Sequence, residues 1–303
     1  MIYKILARLL LAPIWLLSLL PLKVHYLISD GLAWLLRDVA KYRVKVVDQN
    51  IKAAFPEMPE ADRKDLAKKY YSHLAEVICE IVWAQTRSTR YIARKGVYSV
   101  EPEAEELLNT LFAECPSVVA LVSHTGNWEL SAGVFDYCRN PVFDYSNFTT
   151  AYQPLHSPLS QELFLLLRHS FLKYPGNLVP SPEMLRFVIE HKHEKRIYFF
   201  IADQYPYNGS ACTTDFLGLE TEWVNGGEAI ARKLHLPVVY ICLDREKRGE
   251  YVIKISQICK DASTTGKGEV TTAFSKLLEA DIINRKENWL WSHKRWKNLN
   301  IYQ

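Results

Sequence analysis

Between residues 118 and 137 the spacing of apolar positions changes character once. Val118-Val-Ala-Leu-Val122 is a continuous apolar run of five, the pattern of a short strand buried on both faces. Ser123-His124 end it, and Thr125-Gly126-Asn127 supply residues suited to a tight turn and a helix start. An amphipathic stretch from Trp128 to about Tyr137 predicts a helix. The same sequence of events recurs at Arg196-Ile-Tyr-Phe-Phe-Ile-Ala202, a second buried strand that ends in Asp203-Gln204.

The rest of the chain fits around these two strands. Glu60 to Gln85 predicts one long helix, with Leu66, Tyr70, His73, Leu74, Val77, Ile78, Ile81 and Val82 recurring at helical spacing. Glu76 and Glu80 flank that stripe and read as surface carboxylates. Further helices are expected over Glu101–Cys115, Leu159–Phe171, Pro182–His193, Gly226–His235 and Gly268–Lys286. Further strands are expected within Pro141–Gln153 and over Asn177–Pro180, Pro237–Leu243 and Tyr251–Ile258. Tyr205 to Asn225, with Gly209 and Gly218, reads as a long loop forming a pocket wall or lid. Alternating strands and helices predict an α/β fold with a mixed central sheet flanked by helices. In such sheets ligands gather at the carboxyl ends of strands, where His124 and Asp203 would both sit.

The amino terminus changes the picture. Ile5 to Leu22 is apolar except for Arg8, Pro13 and Ser18. Eighteen helical residues reach about 27 Å, close to the hydrocarbon thickness of a bilayer. No small-residue cleavage site follows, and apolar residues continue through Leu36. Residues 1–40 are therefore read as a hydrophobic membrane-anchor region, spanning the bilayer or lying in its interface, and residues 41–303 as the catalytic domain. Lys41, Arg43, Lys45 and Lys52 suit the anionic cytoplasmic leaflet. The chain has 303 residues, 49% of them hydrophobic, which is enough for a sizeable core. A net charge of +3 gives no footprint of a nucleic-acid binder. Six scattered cysteines without a CxxC pair point to a reducing compartment.

A histidine at a strand end facing a carboxylate at a helix start is how a general base is oriented. The acid accepts one imidazole N–H and leaves the other nitrogen to take a proton from a hydroxyl. On this reading Glu129 holds the His124 ring, and the helix start offers backbone N–H groups to an oxyanion. No further ligands at convincing spacing imply a metal. From Arg285 to Lys297 there are five Lys/Arg against one Glu, interleaved with three tryptophans. That tail suits a lipid headgroup interface; stacking on bases is the competing reading.

Taken in order, these segments resemble the late lipid A acyltransferase family, the lauroyl- and myristoyltransferases that complete bacterial lipid A. The resemblance runs from the apolar amino terminus through Asn50-Ile-Lys-Ala-Ala-Phe-Pro-Glu57 to Trp289-Leu-Trp-Ser-His-Lys-Arg-Trp-Lys297. His124-Thr-Gly-Asn-Trp-Glu129 looks like the family's His-four-residues-acid motif. Tyr152-Gln-Pro154 with Arg168 is similar to its acceptor-side segment, and Asp203-Gln204 to its second acidic position. Glu287 and Lys294 depart from the family's usual proline and arginine.

The resemblance implies a glycerolipid-acyltransferase-like fold and transfer of a fatty acyl chain from an acyl carrier protein or coenzyme A thioester to a glycolipid hydroxyl. It places the enzyme at the cytoplasmic face of the bacterial inner membrane and needs no cofactor beyond the co-substrate. His124 and Glu129 would be catalytic, and Asn127, Arg168, Asp203 and Gln204 would bind substrate. The Thr-Gly-Asn-Trp filling also occurs in acyltransferases acting on mannosides, so the acceptor stays open between lipid A precursors, mannosides and lysophospholipids. A non-catalytic membrane-associated binding protein is one alternative, and a thioester or lipid hydrolase is another. The hydrolase needs a nucleophile; Ser123 is adjacent, but no GxSxG elbow is present.

Overall fold

The computed structural model describes residues 2–169, 172, 176–206 and 212–302. In chain order it contains α1 (Ile2–Ser18), α2 (Leu22–Trp34), α3 (Val44–Ala54), α4 (Glu60–Ala84), α5 (Thr89–Arg94), β1 (Tyr98–Val100), α6 (Pro102–Glu114) and β2 (Val118–Val122). Next come α7 (Val134–Tyr137), β3 (Phe148–Tyr152), α8 (Pro158–His169), β4 (Leu178–Pro180), α9 (Met184–Glu190) and β5 (Ile197–Ile201). The chain closes with β6 (Cys212–Phe216), β7 (Leu219–Trp223), α10 (Gly226–Leu234), β8 (Val238–Lys247), β9 (Glu250–Cys259) and α11 (Glu269–Asn284).

Seven strands form one mixed sheet in the order β1-β9-β8-β2-β5-β3-β4. All neighbours are parallel except β8 and β9, which form an antiparallel pair. The expected α/β fold with helices flanking a mixed sheet is the observed one. β2 lies between β5 and β8, and its side chains are buried on both faces. Val119 and Leu121 enter one core cluster, while Val118, Ala120 and Val122 enter the other. A strand with two covered faces needs no polar alternation, which is why its sequence is apolar throughout.

The β2–β5 register sets up the site. Val122 is paired with Ile201, and the Ala202 amide donates to the Val122 carbonyl at 3.0 Å. Two residues past each paired end, His124 and Asp203 leave the sheet side by side, because parallel neighbours run about 4.8 Å apart.

Several expectations need correction. The helix expected from Trp128 to Tyr137 is a 3-10 turn (Leu130–Gly133) followed by the single turn α7. Ser131 Oγ donates to the Trp128 carbonyl at 2.6 Å, and Tyr137 Oη to the Leu130 carbonyl at 2.8 Å. These side chains take up carbonyls that a regular α-helix would use. The expected loop over Tyr205–Asn225 contains the hairpin β6–β7, turned by Leu217 and Gly218, both at positive φ, as a two-residue hairpin turn requires. Gly209 lies outside the described residues, as does Phe171, the last residue expected in α8. Short β1 was not legible in the sequence at all. Glu76 and Glu80, expected at the surface, are buried.

The tryptophans of the carboxyl-terminal tail are also not at the surface. Trp289, Trp291, Trp296 and Arg295 are buried, the last with its guanidinium 4.4 Å from the Trp223 ring centroid. Trp289 packs on Trp291 and Trp296, and Trp289 and Trp296 pack on Phe216 inside the core. They are accessible neither to headgroups nor to bases.

At the amino terminus, α1 and α2 form a bent pair packed on α4 and α8. No single described helix is long and apolar enough to cross a bilayer. The two meet that length and composition only together, across a bend of 115°. Ile2, Leu9, Trp15, Leu16, Leu27 and Trp34 are exposed on them.

Candidate active site

His124 is oriented by Asp203, not by Glu129. Its Nδ1 lies 2.6 Å from Asp203 Oδ1, and its backbone N–H donates to Asp203 Oδ2 at 2.9 Å. Trp289 Nε1 donates to that same oxygen at 2.9 Å. Asp203 is buried. Burial pushes its carboxyl upward, but the His124 charge and the hydrogen bonds from His124 and Trp289 outweigh this and hold it at about 2. An ionised carboxylate accepts but cannot donate, so it fixes the tautomer with hydrogen on Nδ1 and the lone pair on Nε2. That lone pair faces Gln204, whose Nε2 is 3.1 Å away and donates to it. The Trp128 ring crosses His124 edge-on at 5.1 Å.

Glu129 takes a different partner. Arg168 on α8 donates to it through Nε at 3.1 Å and through a terminal nitrogen at 2.8 Å, a bidentate ion pair. Burial pulls the Arg168 guanidinium down, but Glu129 beside it prevails and holds it charged. Glu129 precedes the 3-10 turn rather than lying inside a helix, so the separation of five residues does not bring it onto His124. Asn127 is fully buried, with Nδ2 on Glu80 at 2.9 Å, and faces away from the pocket. Ser123 is buried too, with Oγ 3.0 Å from Thr125 Oγ1, and does not line the cavity next to His124. It is not available as a nucleophile.

The loop itself is held by the carboxyl-terminal tail. Gly126 N–H donates to Asn288 Oδ1 at 3.1 Å, Leu290 N–H to the His124 carbonyl at 3.1 Å, and Thr125 bridges to Trp289. Gly126 has φ +53°, and a Cβ there would come within 2.7 Å of the Leu243 carbonyl, so only glycine fits. Sequence reasoning missed Trp289 as a site residue. The available signal was that a buried indole needs a partner for its N–H.

Two cavities meet at this point. One, of about 320 Å³, runs from His124, Trp128 and Glu129 past Phe148, Thr150, Phe199 and Leu172, and is mostly apolar. The other, of about 400 Å³, lies between α4 (Leu74, Val77, Ile78, Ile81) and α8, with Arg43 and His293 on its wall. They share Trp128, Glu129, Phe164, Arg168 and Gln204. The Glu129–Arg168 pair therefore stands between two greasy spaces, and His124 opens only onto the first.

The structure thus shows a strand-end histidine, paired with a buried carboxylate, beside an apolar cavity. The family model for bacterial lipid A biosynthesis acyltransferases matches residues 2–298. The lipid A biosynthesis lauroyltransferase of Escherichia coli (strain K12) is 24% identical over 300 residues, covering 94% of this chain and 89% of that protein. The class of protein is thus an acyltransferase. More narrowly, the chain belongs to the bacterial lipid A biosynthesis acyltransferase family.

Proposed function

We propose that the enzyme moves a fatty acyl chain from an acyl carrier protein or coenzyme A thioester to a hydroxyl of a lipid A precursor or related glycolipid. It does so at the cytoplasmic face of the bacterial inner membrane, with His124 as general base. His124 Nε2 takes the hydroxyl proton as the oxygen attacks the thioester carbonyl carbon. The new C–O bond forms, the C–S bond breaks, and the departing thiolate takes the proton back from the imidazolium. Asp203 keeps the ring in its tautomer and stabilises the transient cation. Arg168 offers charge-assisted donors to the oxyanion, and Glu129 acts through Arg168 by aiming it. Gln204 shields the base until an acceptor hydroxyl replaces it.

The observation that carries this reading is the His124–Asp203 contact at the mouth of an apolar cavity. The two cavities support direct transfer, with the donor chain in the first and a tail of the acceptor in the second, so both substrates are held at once. Exposed apolar residues on α1 and α2 support membrane docking; co-flotation with anionic vesicles tests it and should weaken in Leu9→Ser/Leu16→Ser protein. For the reaction, purified enzyme is given an acyl thioester and a lipid A precursor, and the product is read by mass spectrometry. Wild type should add one acyl mass and His124→Ala should not. Transfer by His124→Ala at the wild-type rate would remove His124 from the mechanism. Release of free acid without an acceptor, at the rate of transfer, would favour a hydrolase.

A further inference from the structure

We propose that Glu80, in the middle of α4, is a positioning residue of the acyl-transfer site, holding the turn that carries His124. This rests on His124 being the base. Glu80 has no exposed surface and forms no ion pair among the described residues; the guanidiniums of Arg245 and Arg248 go to Glu76 instead. Its two oxygens receive three hydrogen bonds from three elements. Tyr26 Oη on α2 donates to Oε1 at 3.0 Å, while Asn127 Nδ2 and Tyr251 Oη on β9 donate to Oε2 at 2.9 and 2.8 Å.

Asn127 is the residue that matters for the site. It lies three positions after His124, and Tyr98 Oη of β1 donates to its carbonyl at 2.5 Å. The turn is thus clamped from two directions. Asn288 and Leu290 hold Gly126 and His124 from the tail side, and Glu80 with Tyr98 holds Asn127 from the side of α4 and β1. A buried carboxylate without a cation is retained against a desolvation cost, which burial records by pushing it up to about 7. An apolar residue at this position would remove that cost and leave the Asn127 amide without an acceptor. Tyr26 extends the clamp to the amino-terminal helix pair, so α2 is built into the same network that fixes the base.

The conservative replacement separates positioning from charge. In Glu80→Gln the amide oxygen can take the Asn127 and Tyr251 donors while its NH₂ donates to Tyr26 Oη, so the clamp survives. In Glu80→Ala it is lost. Displacing a reacting group by about 1 Å costs on the order of 100-fold in rate. We therefore expect Glu80→Ala to lower kcat by about 10- to 100-fold, with KM for thioester and acceptor little changed, because no Glu80 atom lines either cavity. Glu80→Gln should restore most of kcat. Rates are normalised to the folded fraction from a melting curve at the assay temperature. If Glu80→Ala does not fold, Asn127→Ala breaks the same contact from the loop side and should give the same kcat loss.

Unchanged kcat in the folded alanine variant would overturn the proposal. A loss that glutamine does not rescue, or one that appears in both KM values alone, would do so as well. His124→Ala is measured alongside. If it stays active, the acyl-transfer mechanism itself has failed; if it is inactive while Glu80→Ala is not, only the positioning role has failed.

Discussion

Replacing Asp203 with Asn tests the orientation of the base most directly. Two N–H donors, from the His124 backbone and the Trp289 indole, converge on Oδ2, while Oδ1 alone meets the His124 ring. The asparagine oxygen will therefore occupy the Oδ2 position, and its NH₂ will face His124 Nδ1. A donor there forces the ring into the other tautomer, with hydrogen on Nε2, where it cannot accept a proton. A general base is worth about 10²- to 10⁴-fold, and the wrong tautomer removes nearly all of it.

The substitution also affects stability. A carboxyl held at about 2 rather than 3.8 contributes stability that is complete above pH 3.8 and is lost as pH falls toward 2. Asp203→Asn loses this contribution at neutral pH, so kcat must be referred to folded protein. The assay follows product mass at saturating thioester and acceptor. Asp203→Asn should fall by about 10²- to 10⁴-fold, and the His124→Ala/Asp203→Asn double variant should be little slower than His124→Ala, since the pair acts as one unit. Folded Asp203→Asn with near-wild-type kcat would refute the argument.

Other outcomes follow from the same geometry. Glu129→Gln should lower turnover by about 10-fold or more while leaving the fold intact, by loosening the bidentate Arg168; unchanged acyl transfer would remove Glu129 from the mechanism. Thr150→Phe fills part of the first cavity and should shift donor preference to shorter acyl chains, read from competition between thioesters of different length. Trp291→Ala should destabilise by about 3–5 kcal/mol in chemical denaturation, because this indole is core and not headgroup anchor. Between about pH 5 and pH 7 the folded state keeps the Glu80 proton that the unfolded chain, at 4.5, has lost. Stability should fall as pH rises through that window, and Glu80→Gln should flatten the slope of Tm.

Local pattern made much of this protein legible. Val118–Val122 and Ile197–Ile201 announced themselves as buried strands because a strand covered on both faces has no reason to carry polar residues. The long helix α4 was visible in its spacing, and the family resemblance in the ordered motifs. His124 was legible as the candidate base because it follows directly on such a strand. Its partner was not, since distance along the chain says nothing about which strands lie side by side. Glu129 is five residues away and turns toward Arg168; Asp203 is seventy-nine residues away and adjacent, by virtue of the β2–β5 register. The same reason hid Glu80 and the tryptophan tail. A carboxylate between helical apolar positions, and a basic stretch rich in indole, look like surface until the packing of α2, β9 and the tail encloses them. Sequence determined the buried strands, most of the helices and where the candidate chemistry starts; only the pairing of distant segments decided which acid meets His124.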